Sequence, residues 1–372
     1  MIQSLNVRGY RSLREFRLKL GRVMVITGEN GVGKSNLYRA LMMIHRLADG
    51  RFAEAIAQEG GMESFMWAGD WAKNEPRRVM WEIVHQHFHF ELECGLIAVK
   101  DTAFVTDPDI KVETLRFGGN GKKARVVARR RGSFVELRGD DGIMEQVQLP
   151  FHSPESILSE VRDNIRFPAL AATRDILLRW RFYHQFRTDP DSPIRRPQVG
   201  AWSPVLLHDG SNLAATLQTV VESDLQHVID AAVEAAFPGT TWRAVDDDGQ
   251  FQLQISRPDL RRWVKSSELS DGTLRFFCLC AALLTSKPPP LLVLNEPETS
   301  LHPSVLDTLA GLIAQVPVET QIIVVTHSQA LADAISLRCE AKVVQLIRYR
   351  DETRRDGEGN ARRVWVFDEE DE

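Results

Sequence analysis

An apolar run, RVMVIT at 22–27, leads into TGENGVGKSN at 27–36, and the residues from Lys34 onward, KSNLYRALMMIHRLA, carry apolar side chains at helical spacing. A short continuous apolar run has the pattern of a parallel strand buried on both faces. Gly28, four intervening residues, then Gly33, Lys34 and Ser35 fit G-x-x-x-x-G-K-[ST]. Strand before and helix after is the setting in which that spacing has chemical meaning. The glycines let backbone N–H groups turn inward around phosphate oxygens, and the helix start adds its positive end. Gly28, Glu29, Asn30, Gly31, Val32, Gly33, Lys34, Ser35 and Asn36 are therefore the expected cradle of a nucleoside triphosphate. Lys34 is expected to reach the β- and γ-phosphates, and Ser35 to ligate Mg²⁺.

Three further stretches fit the same chemistry. LLVLNEPETSLHP (291–303) reads as a strand that delivers Asn295 and Glu296 to the carboxyl end of a sheet, where open α/β folds bind ligands. Glu296 is placed to orient and deprotonate an attacking water. Asn295 stands where an aspartate usually accepts from Mg²⁺-bound water, and it lacks that charge. SSELSDGTLRFF (266–277) sets Ser270, Asp271 and Gly272 before a helix that begins near Leu274. That reads either as a plain N-cap or as a second helix start able to receive phosphate. VVTHS (324–328) puts His327 at a strand end, in position to sense a γ-phosphate.

Together these residues resemble the ATP-binding-cassette-type ATPase heads of the SMC, RecF and OLD class, and within it the bacterial AAA-family proteins of AAA_21 type. The resemblance runs through nearly the whole chain, including FYHQFRTDPDSPIRRPQ (182–198) and DGSNLAATL (209–217). It implies an α/β fold of P-loop NTPase type, a mostly parallel sheet with an antiparallel β lobe and a helical insertion. ATP and Mg²⁺ are the implied ligands, with Ser35 and Asn295 at the metal. GYRSL (9–13) corresponds to a motif whose arginine contacts nucleotide phosphate, which points to Arg11. Ser270–Gly272 becomes the signature loop, Glu296 the catalytic glutamate, with Lys34 and His327 beside it, and His327 the switch histidine. A signature loop in such heads completes the site of a second subunit, so an ATP-bridged two-fold homodimer is implied. A glutamine is also expected in a Q-loop, for which Gln185 and Gln198 are the candidates. The long coiled coil of SMC-like heads is missing, and no nuclease domain is expected after His327.

The remaining organisation follows from patterning. Four regions are expected: an N-terminal nucleotide-binding part (1–75), an antiparallel β lobe (76–150), a helical insertion (151–240) and a C-terminal nucleotide-binding part (241–372). Residues 2–7 and 15–20 read as a hairpin, 50–75 as loop, 79–150 as successive strands, and 153–185 and 210–236 as helical. Between them, 187–204 reads as an extended Pro/Arg-rich loop. Strands at 291–295, 321–327 and 342–349 alternate with helices at 274–286 and 303–315, and the acidic FDEEDE at 367–372 reads as a frayed tail.

Composition narrows the function classes. A net charge of −5 leaves nucleic-acid binding to a local patch. The patch on offer is KKARVVARRR (122–131), whose alternation would present Lys123, Arg125 and Arg129 or Arg131 on one face; double-stranded DNA and a separately encoded effector protein are the two candidate partners. Arg187, Arg195 and Arg196 read as equally able to pair with Asp189 and Asp191. His85, His87 and His89 share a strand face, but no further ligand can be located for a metal. Trp67, Trp71, Trp81 and Trp180 are read as core or interface anchors before base-stacking residues. Four scattered cysteines suggest neither zinc nor disulfides. No signal peptide and no apolar run of membrane length is found, so a cytoplasmic protein without membrane contact is expected. A nucleotide-gated scaffold with very slow hydrolysis is the rival reading, on account of Asn295. A transporter motor is disfavoured by LSDGT in place of LSGGQ, and a P-loop kinase needs neither signature nor switch histidine.

Overall fold

A computed structural model describes residues 1–98, 102–118, 124–148 and 154–358. The acidic tail, Lys122 and Lys123 lie outside the described residues. In chain order the first elements are β1 (Ile2–Tyr10), β2 (Leu13–Lys19), β3 (Val23–Gly28), α1 (Lys34–Asp49), α2 (Phe52–Gln58) and α3 (Gly61–Phe65). Six strands follow: β4 (Arg78–His85), β5 (Phe88–Leu96), β6 (Pro108–Phe117), β7 (Arg125–Arg131), β8 (Phe134–Arg138) and β9 (Met144–Gln148). Then come α4 (Ile157–Glu160), α5 (Pro168–Leu178), β10 (Arg181–Tyr183), β11 (Gln198–Val199), α6 (Leu213–Val221) and α7 (Gln226–Ala236). A small antiparallel group, β12 (Thr241–Asp247), β13 (Gln250–Ser256) and β14 (Val264–Lys265), precedes α8 (Asp271–Leu283) and β15 (Leu291–Asn295). The last elements are α9 (Leu306–Gln315), β16 (Gln321–Val325), α10 (Gln329–Arg338), β17 (Ala341–Tyr349) and β18 (Glu352–Arg355).

The strands form three sheets. One is antiparallel, in the order β2-β1-β4-β5-β6-β7-β8-β9; another runs β10-β15-β16-β3-β17-β18, parallel except for its last strand. The third is the small sheet of β11, β13, β12 and β14. The fold is thus α/β, with the mostly parallel sheet and antiparallel lobe that the sequence implies. The first hairpin does not enter the parallel sheet. β1 pairs with β4, so the chain starts within the antiparallel sheet.

The parallel sheet is buried on both faces, which is why its strands read as unbroken apolar runs. Met24, Ile26, Leu291, Val293, Ile323 and Val325 face one core, shared with α1 and the antiparallel sheet. Val23, Val25, Leu292, Leu294, Ile322 and Val324 face the other, shared with α6 to α10. Register aligns Asn295 with Val325 and Val325 with Ile26. The chain segments after these three strands therefore emerge side by side at one edge.

Several local expectations differ from the structure. The stretch 50–75, read as loop, contains α2 and α3, helices of one to two turns that are too short to display periodicity. The helix expected through 185 ends at Leu178, and Arg181–Tyr183 instead pair in parallel with Leu292–Leu294. Tertiary pairing decides there, since three residues carry no period. The hairpin β12–β13 had a readable signal in DDDGQ: Asp248 and Gly249 both take positive φ, 51° and 78°, the turn that Asp-Gly favours. Trp81 and Trp180 are core residues, each 1% exposed, and Trp81 packs against Tyr10, Phe52 and Phe65. Among the described residues, no helix is long and apolar enough to cross a membrane.

Candidate functional site

β3 ends at Gly28 and α1 begins at Lys34, so the expected phosphate cradle sits between a buried strand and a helix of 16 residues. Gly33 caps that helix at φ 101° and offers no side-chain acceptor; the Asn36 N–H turns back to Gly33 O at 3.1 Å, and the N–H groups ahead of it are the ones available to an anion. A Cβ on Gly28 would meet the Leu346 carbonyl oxygen at 2.7 Å, whereas Gly31, at φ 81°, has nothing within 4 Å. The loop is thus packed at its base and open at its crest. The buried Lys34 ammonium folds back to donate to the carbonyls of Gly28 (2.6 Å) and Glu29 (2.8 Å). Burial lowers its pKa, and the charges of Glu296 and Glu298 pull it part of the way back. Ser35 is exposed in the first turn, while Asn36 Nδ2 donates to Ser12 Oγ at 2.7 Å. Thr27, Gly28, Glu29, Asn30, His327, Gln329 and Gln345 line an open cleft of about 400 Å³.

Asn295 closes β15 and is 1% exposed. Its Nδ2 lies 2.7 Å from Nδ1 of His184, and its Oδ1 is buried without a hydrogen-bond partner. A buried orphan acceptor costs roughly 1–3 kcal/mol. An acceptor of this kind fits a Mg²⁺-bound water. Glu296 follows in the left-handed region at φ 52°, a conformation that costs about 1 kcal/mol or more for a non-glycine residue. Its N–H donates to Val325 O at 2.7 Å, which anchors the strained residue to β16. The backbone turn leaves the Glu296 carboxylate 30% exposed at the sheet edge, 4.0 Å from Nδ1 of His327.

Two residues here were not singled out from the sequence. Glu298 is buried and accepts from the Thr326 hydroxyl and the His327 N–H, and it lies closer to the His327 ring (3.2 Å) than Glu296 does. The second carboxylate of NEPE was the available signal. His184 had no such signal, because its place beside Asn295 comes from the parallel pairing of β10 with β15. Of the two Q-loop candidates, Gln185 follows His184 at this same strand end. Gln198 is buried elsewhere, accepting from Ala214 N and donating to Pro193 O, and serves packing.

Ser270 is the N-cap of α8, its Oγ accepting from Thr273 N at 3.2 Å. Asp271 pairs with Arg195 at 2.7 Å. The same guanidinium donates to the carbonyls of Ser266, Ser267 and Leu269, and its Nε to Thr188 O. A Cβ on Gly272 would meet Ser300 O at 2.7 Å, so glycine permits α8 to start against the loop that follows Glu296. Ser270 and Asp271 are exposed, and among the described residues no hydrogen bond or ion pair ties 270–272 to 28–36. Arg11, at φ 44°, is ion-paired with Glu59 at 2.8 Å, and it is the neighbouring Ser12 that touches the phosphate-binding loop.

The weaker sequence signals resolve differently. Arg187 pairs with Asp189 and Arg196 with Asp191, whereas Arg195 turns to Asp271. In β7, Arg130 is buried against Glu113, and Arg129 and Arg131 lie on the opposite face; a bulge opposite Leu115 and Arg116 turns Arg125 to the Arg130 side, so the expected single face of Arg125 with Arg129 or Arg131 does not form. His85 is buried, stacked on Phe88, and its burial pushes its pKa down to about 3. His89 does have carboxylate neighbours, contrary to the sequence reading: Glu82 at 3.0 Å and Glu91 at 3.3 Å. Those carboxylates also accept from Asn6 and Arg116.

Residues 133–333, more than half of the chain, match the model of the AAA_21 family, described as "AAA domain, putative AbiEii toxin, Type IV TA system". The match takes in Ser270–Gly272, Asn295, Glu296 and His327. Among solved structures, the chain is similar to an SMC head bound to the C-winged helix domain of ScpA. Identity is 13% over 95% of this chain and 97% of that one, with a TM-score of 0.50. It is likewise similar to an Smc head domain with an extended coiled coil bound to the C-terminal domain of ScpA derived from Pyrococcus furiosus. There identity is 15%, coverage 95% of both chains and the TM-score 0.50. What is shared is the fold. A comparison with curated proteins finds no match.

Proposed function

The chain belongs to the AAA_21 family of AAA domains and has the fold of an SMC-type ATPase head; on that premise we propose that it binds ATP, closes on it as a homodimer and hydrolyses it. One observation carries this reading. The neighbouring strands β15, β16 and β3 bring Asn295 and Glu296, His327, and the loop ahead of Lys34 to a single sheet edge. ATP is the substrate, its phosphates received by the N–H groups of 29–34. Lys34 exchanges two backbone carbonyls for phosphate oxygens, a stronger charge-assisted bond. Ser35 and Asn295 would hold Mg²⁺, which when bound neutralises phosphate charge. Glu296 takes the proton of the attacking water, and His327, steadied by Glu298, contacts the terminal phosphate.

Ser270–Gly272 serve the site of a second copy. The support is their exposure, their distance in the hydrogen-bond network from their own phosphate-binding loop, and the three carbonyls and one carboxylate by which Arg195 fixes that helix start, while Thr188 O orients the guanidinium from its own loop. Arg195→Ala is expected to weaken ATP-induced self-association at least tenfold, since charged hydrogen bonds contribute about 1.5–3 kcal/mol each. Nucleotide affinity of the monomer should stay within about twofold. Sedimentation velocity with and without ATP, beside equilibrium nucleotide binding, checks both halves.

ATP would join the heads and hydrolysis release them, so the dimer acts as a switch read by a DNA substrate or a separately encoded effector protein. DNA repair and anti-phage defence are the settings this implies. Arg125, Arg129 and Arg131 on β7, the first and last exposed and Arg129 half-buried, support DNA, and the toxin-system description of the family supports an effector. Steady-state phosphate release with Mg²⁺, with and without double-stranded DNA, tests the reading: turnover supports the switch, and stimulation selects DNA. Asn295 favours a second reading, in which an uncharged metal position slows hydrolysis so far that ATP occupancy itself is the signal. ATP binding and dimerisation without turnover would select it.

A further inference from the structure

Behind the phosphate-binding loop runs a chain of three side chains drawn from both ends of the sequence. Asn36 Nδ2 lies 2.7 Å from Ser12 Oγ, Ser12 Oγ lies 2.7 Å from Thr353 Oγ1, and Thr353 Oγ1 lies 2.7 Å from Val32 O. The two ends fix the direction of every proton. A carbonyl only accepts, so Thr353 gives its proton to Val32; Ser12 must then donate to Thr353 and accept from the Asn36 amide. Each hydroxyl donates once and accepts once. Thr353 N also donates to Ser12 O at 2.8 Å, which binds the β1–β2 turn to β18 independently of the side chains.

We propose that Ser12 and Thr353 are positioning residues that hold the phosphate-binding loop in its anion-receiving conformation. Val32 O engaged from behind cannot turn into the cradle, where its negative end would repel phosphate, and the loop's N–H groups are left to face the ligand. The same hairpin, β17–β18, sets the backbone at both glycines of the motif. A Cβ on Gly33 would stand 2.0 Å from Thr353 Oγ1 and 2.6 Å from Ser12 Oγ, and one on Gly28 2.7 Å from Leu346 O. Thr353 is 1% exposed, so its hydroxyl has no water to fall back on. The hairpin is therefore a template against which the loop is pressed, and both glycines exist to allow that contact.

This inference rests on the assignment of the loop to ATP, and its test separates the two. Equilibrium binding of ATP and ADP is measured on the full chain as wild type, Thr353→Val, Thr353→Ser and Ser12→Ala, with circular dichroism to verify folding. Thr353→Val keeps the volume and removes the proton donor; it is expected to weaken ATP and ADP binding about tenfold, equivalent to about 1.4 kcal/mol. Thr353→Ser should restore affinity to within about twofold, because it restores the hydroxyl and not the methyl packing. Ser12→Ala should weaken binding less than Thr353→Val, since Thr353 can still reach Val32. If folded Thr353→Val binds like wild type, or if Thr353→Ser is as weak as Thr353→Val, the positioning role is wrong and Thr353 is packing alone. If wild type binds no nucleotide, the function itself falls and this inference with it.

Discussion

Glu296→Gln is expected to reduce ATP turnover about 10²–10⁴-fold, the range a positioned general base contributes, while ATP affinity changes only a few-fold. The substitution is close to isosteric and leaves the backbone anchor from Glu296 N to Val325 O in place, so the left-handed turn at φ 52° survives. What disappears is the proton acceptor at the sheet edge. With binding and dimer closure intact but release blocked, ATP-bound dimers should accumulate. Phosphate release measured beside size-exclusion chromatography separates these effects. Unchanged turnover would move the base elsewhere, and Glu298, buried and committed to Thr326 and His327, is poorly placed to take over. If wild type binds ATP and dimerises without measurable turnover, the substitution has nothing to remove, and the gated scaffold marked by Asn295 is the better description.

The parts of this site that the sequence discloses are those made by contiguous residues. A strand, a glycine-rich turn and a helix occupy Val23–Asp49 without interruption, and NEPE and VVTHS each hang from a single strand end. Periodicity finds such strands because burial on both faces leaves no polar break in them. What it misses is supplied across the chain. His184 meets Asn295 at a separation of 111 residues, Arg195 meets Asp271 at 76, and Ser12 meets Thr353 at 341. Each contact is a consequence of strand order or loop packing, for which local pattern has no signature. Arg11 illustrates the converse. The motif GYRSL points to Arg11, yet the residue that touches the loop is its neighbour Ser12, and Arg11 is held by Glu59. Short elements escape for a related reason: β10 and α3 have three and five residues, less than two periods of the strand and the helix pattern respectively.

Lys34→Ala should abolish ATP binding at any concentration that can be titrated in practice, a loss of at least about 10²-fold for a charge-assisted contact to phosphate. Its effect on the folded protein without nucleotide should be much smaller, for opposing reasons. The carbonyls of Gly28 and Glu29 lose a donor, but both flank an open cleft that water enters, and a cation whose burial is unfavourable is removed with it. Thermal unfolding should therefore shift by no more than a few degrees, consistent with about 1 kcal/mol or less at this size. The combination is diagnostic, because Lys34 is held by the loop and does not itself hold the loop; that task belongs to Ser12, Thr353 and the β17–β18 hairpin behind it. Lys34→Ala with ATP affinity retained would mean that the phosphates are bound elsewhere. Lys34→Ala with the fold lost would mean that the ammonium, paired to two carbonyls, is a structural strut. Binding lost on an intact fold is the result that a preformed cradle requires, since only there can the charge be taken away and its container left standing.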